Sequence, residues 1–157
     1  MNRYIYDQIK MREGFVEYPV ANAYKPYVPV KIDGNIAYVS GNVAFSNGEL
    51  QYKGRIGESL SIEEGKRSAA LAAINTLELL DKAVGLERVE SILKVTGYLC
   101  CAEDVEELPA ILNEGSQVFV DVFGEEKGKH ARVALGVYTL PLGASCEIEF
   151  MAKLKSE

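Results

Sequence analysis

From Ser145 to Leu154 the chain keeps a strict two-residue period in which Cys146, Ile148, Phe150 and Ala152 alternate with Glu147, Glu149, Met151 and Lys153. Successive side chains of a strand point to opposite faces, so this segment predicts a strand with one apolar face against helices and two carboxylates on the other. The preceding apolar run, Ala131 to Leu140, behaves differently. Its residues Val133, Ala134, Leu135 and Val137 are apolar on both sides, and Pro141-Leu142-Gly143 joins it to the last strand, its expected antiparallel neighbour. A sheet whose helix-free face is still largely apolar needs another cover, and a second copy of the chain is the simplest one.

Upstream, local signals set the remaining elements. Tyr4 to Met11 places Ile5, Ile9 and Arg12 near helical spacing before Gly14, which predicts a short terminal helix. Tyr27 to Ile32 and Ile36 to Ser40 flank Asp33-Gly34-Asn35, a hairpin signal. Ser61-Ile62-Glu63-Glu64 fits a capping box, and the stripe Ala70, Ala73, Ile74, Leu77, Leu80, Val84 predicts a helix from there to Gly85. Ser91 to Ala102 reads as a buried strand. Leu108, Ile111, Leu112, Phe119 and Val122 stripe a second helix ending at Gly124, with Glu106 and Glu107 suited to its N-terminal dipole. The order ββαβαββ predicts an α/β (α+β) fold, a mixed sheet with two helices on one face.

The chain has 157 residues, 48% of them hydrophobic and 25% charged, which is the size of one domain with its own core. We expect a single domain over 1–157. No apolar run approaches the roughly 18 residues of a membrane span, and the N-terminus lacks a basic-then-apolar leader pattern, so a cytoplasmic protein with no membrane partner is expected. The net charge of −6 and the lack of a basic run longer than Gly65-Lys66-Arg67 argue against a nucleic-acid partner. One histidine and three cysteines, with Cys100-Cys101 and Cys146 in apolar surroundings, offer no ordinary metal spacing. We expect no metal or organic cofactor, and cysteines that act as small buried hydrophobes.

The segment from His130-Ala131-Arg132-Val133 through Leu140-Pro141 to Glu147-Ile148-Glu149 resembles the C-terminal signature of the RidA (YjgF, endoribonuclease L-PSP) superfamily. Arg132 and Glu147 lie fifteen positions apart, the family's interval. Lys25-Pro26-Tyr27 and Val39-Ser40-Gly41 are similar to two further family elements at the same separation, so the matches run from about Tyr24 to Lys153. The longer N-terminus, here an extension over 1–23, and the form Gly128-Lys129-His130-Ala131-Arg132 resemble a long subgroup.

The resemblance implies a chorismate-mutase-like fold, a homotrimer, and clefts between subunits. The implied reaction is cofactor-free hydrolysis of enamines or imines, such as 2-aminoacrylate, to a 2-keto acid and ammonia. By residue-wise match, Arg132 anchors the substrate carboxylate; an ion pair with a neighbouring glutamate is the alternative. Glu147 orients or activates the attacking water, or is only a paired interface charge. Tyr27 lines the cleft or packs in its hairpin, Asn113 resembles an asparagine of the family's second helix, and Gly41 permits close backbone approach or simply ends a strand. Val133 stands where short members commonly have Ser or Thr, removing a hydroxyl near the carboxylate. His130 is read as a loop residue without catalytic work. Two functions remain open, an imine/enamine deaminase and a non-catalytic trimeric binder of small carboxylates or keto acids; ribonuclease activity, the family's older label, is disfavoured by the charge.

Overall fold

The structure is a computed structural model that describes residues 1–17 and 26–156. Tyr24 and Lys25 of the motif region, and part of the extension over 1–23, lie outside the described residues. The described residues form seven strands: β1 Val30–Asp33, β2 Ile36–Val43, β3 Phe45–Ser46, β4 Glu49–Leu50, β5 Val89–Cys100, β6 Ala131–Val137 and β7 Cys146–Leu154. The helices are α1 Arg3–Arg12, α2 Ile62–Val84, α3 Leu108–Phe123 and the one-turn α4 Glu125–Gly128. The sequence signals account for all of these except α4 and the β3–β4 ribbon, both too short to show a period.

The capping box forms at Ser61, whose hydroxyl accepts from the Glu64 N–H at 3.1 Å while the Glu64 carboxylate accepts from the Ser61 N–H at 2.8 Å. From there α2 runs to Gly85, which takes a φ of 83° just past the helix end. Its buried alanines, Ala69, Ala70, Ala72 and Ala73, let α2 lie close to its neighbours. Gly115 does the same on α3: a Cβ there would stand 2.8 Å from Ile148 Cδ1 and 3.0 Å from the Ala69 carbonyl. The core fills the layer between these helices and the apolar face of the sheet, with Ile148 and Phe150 of β7 beneath Phe119 and Leu112 of α3. Cutting Ile148 back to alanine would cost about 2–5 kcal/mol. Cys146 and Cys100 are buried and Cys101 is half-buried, all three as free thiols, and burial pushes the Cys101 thiol up to about 11.

Five strands form one mixed sheet in the order β1-β2-β7-β5-β6. This arrangement corrects one expectation, that the strands of Arg132 and Glu147 are antiparallel neighbours. β5 lies between them, parallel to β6 and antiparallel to β7. The physical reason is the crossover: α3 carries the chain back to the start of β5, and a strand entered that way pairs parallel. The chain then passes the end of β5 through Pro141–Gly143 and descends on its other edge. The helix-free face carries Tyr38, Val133 and Leu135, each 37–43% exposed, among Glu147, Glu149, Lys94 and Lys153. Among the described residues no helix is long and apolar enough to cross a membrane.

Candidate functional site

Arg132 is the second residue of β6 and pairs in register with Val95 of β5, a buried residue of the helix-facing side. Directly paired residues share a face, so the guanidinium turns toward α3. There Nη1 donates to Asn113 Oδ1 at 2.9 Å and to Ser116 Oγ at 3.1 Å, and Nη2 donates to the Pro109 carbonyl at 3.3 Å. Pro109, Asn113 and Ser116 are spaced four and three residues apart, one stripe of the helix. None of these partners is charged. The ion pair with a glutamate that the sequence leaves open is not formed among the described residues, and burial alone acts on the guanidinium, lowering its pKa. Three of its five N–H donors are committed here, leaving two, the number a bidentate carboxylate contact takes.

His130 supports this cluster. Its Nδ1 lies 2.7 Å from the Gly128 carbonyl and its Nε2 lies 3.0 Å from Ser116 Oγ. A carbonyl only accepts, so Nδ1 carries the proton and donates. Burial first, and then the charge of Arg132, hold the imidazole pKa below its usual range, so the ring is neutral near pH 7 and Nε2 accepts the Ser116 O–H.

Glu147 belongs to the other face. It pairs with Tyr98 of β5 and Val43 of β2, and among the described residues no donor or cation meets its carboxylate. Burial first, and then the like charge of Glu149, raise its pKa. Glu149, by contrast, accepts from the Tyr98 hydroxyl at 3.2 Å. Gly41 sits in a break of register between Val39 and Asn42, and a Cβ there would stand 2.5 Å from Glu147 Oε1. Close approach, rather than an ordinary strand end, describes this glycine. Ser40 is tied to the segment before β1 by its N–H to the Pro29 carbonyl at 2.9 Å and its hydroxyl to the Val28 carbonyl at 2.8 Å. Tyr27, 57% exposed, stands next along that segment, near the Gly41 end of β2.

The predicted residues therefore fall into two groups. Arg132 and Asn113 meet, as do Glu147 and Gly41, but the groups occupy opposite faces of the sheet. Two strand spacings and three residues of register separate the Arg132 and Glu147 backbones by on the order of 14 Å. Val133 pairs with Thr96 and points to the open face, away from its own Arg132. Sequence reasoning missed Ser116 and the Pro109 carbonyl; the stripe of Pro109, Asn113 and Ser116 along the border of the apolar face of α3 was the signal that could have found them. A groove of about 240 Å³ lies on the open face against Tyr38, Lys94, Thr96 and Glu149. Among the described residues no group of three or more His, Cys, Asp and Glu side chains is placed to hold a metal ion.

Residues 10–154 match the family model described as YjgF/chorismate mutase-like, and the chain belongs to that family, within the YjgF/RidA superfamily. Protein TCP17 of Trypanosoma cruzi is 31% identical over 131 residues, covering 83% of this chain and 82% of that protein. The crystal structure of Atu1372, a protein with unknown function from Agrobacterium tumefaciens, aligns with a TM-score of 0.84 at 30% identity over 98% of this chain and 96% of its own. RidA from an Antarctic Psychrobacter aligns with a TM-score of 0.56 at 25% identity over 87% of this chain and 93% of its own. The mixed sheet with helices on one face is thus the chorismate-mutase-like fold.

Proposed function

We propose that the protein hydrolyses enamines and imines of the 2-aminoacrylate type to 2-keto acids and ammonia, in clefts between the subunits of a homotrimer. The observation that carries this reading is Arg132, a partly buried cation seated by three uncharged acceptors with two donors left over. Such a group is short of an anion, and a planar carboxylate fits its fork. Glu147 supplies the complementary need, a carboxylate with a raised pKa and no partner among the described residues, suited to taking a proton from water. Since one chain turns these two groups to opposite faces, a site containing both uses two chains. The apolar residues of the open sheet face support that assembly.

In the reaction, Arg132 holds the substrate carboxylate while water adds to the C=N carbon and Glu147 accepts its proton. Glu147 returns that proton to nitrogen to give the neutral carbinolamine, whose hydroxyl proton passes to nitrogen as C=O forms and C–N breaks, leaving the keto acid and ammonia. The imine is already reactive, so placement of substrate and water carries most of the catalysis. No metal or organic cofactor enters these steps. The second reading, a trimeric binder of small carboxylates, is favoured by the completeness of the Arg132 cluster without Glu147.

Ammonia release from freshly generated 2-aminoacrylate distinguishes them. We expect wild type to accelerate it and Arg132→Ala to lose the acceleration. A wild type that binds pyruvate through Arg132 but releases no extra ammonia selects the binder. Light scattering should give three times the chain mass, and a monomer at micromolar concentration would defeat the shared cleft.

A further inference from the structure

We propose that His130 is a positioning residue that holds the Arg132 guanidinium in register for its carboxylate ligand, acting through the hydroxyl of Ser116. The proposal rests on the reading of Arg132 as a carboxylate anchor and adds to it the residues that aim it. Its basis is a chain of hydrogen bonds whose directions are forced. The Gly128 carbonyl can only accept, so His130 Nδ1 donates to it at 2.7 Å. Arginine can only donate, so Ser116 Oγ accepts from Arg132 Nη1 at 3.1 Å. The Ser116 proton is left for His130 Nε2, 3.0 Å away.

Each link is itself held. Gly128 lies directly on the α3 backbone, where a Cβ would stand 2.5 Å from the Phe119 carbonyl and 2.6 Å from the Val120 Cα. Its own carbonyl is thereby fixed against the helix, since α4 can neither lift nor slide without losing that contact. The Phe119 ring meets the imidazole edge-on at 5.5 Å between centroids. With the Ser116 proton drawn to Nε2, the hydroxyl offers only lone pairs to Nη1. That polarity matters because a free serine could turn its proton toward the guanidinium and push it off α3. Together with Asn113 on the same nitrogen, Ser116 consumes both Nη1 donors and, with one Nη2 donor on the Pro109 carbonyl, leaves Nε–H and the second Nη2–H to face the ligand. Protonating His130 would send a second N–H at Ser116 and set a second cation beside Arg132, so the neutral ring is the form that supports this arrangement.

The test is calorimetric titration of pyruvate into the full chain, with a melting curve for every variant. Ser116→Ala and His130→Asn, the latter keeping a donor for Gly128 but losing the acceptor for Ser116, should each weaken binding about tenfold, the scale of one hydrogen bond to a charged group. The double variant should be no weaker than either single one. His130→Gln, which can offer an oxygen where Nε2 stood, should recover most of the affinity. In turnover of 2-aminoacrylate the same variants should raise KM and leave kcat nearly unchanged. If Arg132→Ala abolishes pyruvate binding while Ser116→Ala and His130→Asn bind as wild type, or if their losses simply add, the positioning role is wrong and the anchor stands. If Arg132→Ala also binds as wild type, or wild type takes up no pyruvate, the anchor and the positioning role fall together. Lower melting temperatures in the His130 variants without rescue by glutamine would mark a purely structural residue and overturn the proposal.

Discussion

Arg132 and Glu147 are both partly buried charges on strands that flank β5, yet their surroundings differ in kind. Arg132 is seated: three acceptors from one helix hold it, and a histidine beyond Ser116 completes the set. Glu147 is left over, with its carboxylate against a bare glycine, no donor of its own among the described residues, and a like charge two residues on. A seated charge is ready to bind in place, because its geometry is set before the ligand arrives. An unseated one is costly until something supplies its partner, which is a common state for a group that must gain or lose a proton. The contrast teaches that the two halves of this site are built for different tasks.

The largest expected effect lies on the unseated side. Glu147→Gln removes the proton acceptor and keeps the shape, so imine turnover should fall about a hundredfold or more, within the range of general-base losses, while pyruvate affinity stays within about twofold. Equal losses in both quantities would erase the division of labour. On the seated side, Arg132→Lys replaces a planar fork by a point charge, and pyruvate should bind about tenfold to a hundredfold more weakly in calorimetry. Lysine performing as well as arginine would show that α3 positions charge but not geometry.

Gly41→Ala sharpens the comparison from the backbone. The added Cβ would stand 2.5 Å from Glu147 Oε1, so the carboxylate must swing aside. Turnover should drop about tenfold with pyruvate affinity held, the scale of one misplaced group. A change in affinity alone would instead place Gly41 in the ligand pocket.

The smallest effects are on stability, and they have opposite signs. Burial and Arg132 lower the folded pKa of His130, which faces Ser116 and Phe119 of α3, the Gly128 carbonyl and Arg132. The stability it contributes is therefore present above its unfolded value of about 6.5 and is lost as pH falls through the folded value. For Glu147 the folded pKa is raised, so its favourable contribution belongs to low pH and is lost as pH rises above about 4.3 and through the folded value. At pH 7 Glu147→Gln should melt about 2–4 °C above wild type, whereas His130→Gln should flatten the loss of melting temperature between pH 7.5 and 5.5. A lower melting temperature for Glu147→Gln would mean that the carboxylate has a stabilising partner.

Much of the architecture was legible in consecutive residues, because caps and hydrophobic periods are local properties. The alternation in Cys146–Leu154 assigned each side chain of β7 to its face, with Glu147 and Glu149 together on the open one. Ser61, Glu64 and Gly85 marked both ends of α2. The family signature singled out Arg132, Glu147, Gly41 and Asn113 without a contact being known. What those residues could not reveal was which of them meet. Ala131 and Val133 flank Arg132 with apolar side chains alike, so no period told which face the arginine takes. Only the parallel register of β6 on β5 turned it toward α3. The short link Pro141–Gly143 reads locally as a hairpin between neighbours, and only the crossover through α3 placed β5 between β6 and β7, where the registers of Arg132 on Val95 and of Glu147 on Tyr98 set the two on opposite faces. Strand order is decided by which edges remain to be paired once the helices are down, a property of the assembled sheet that no single segment carries.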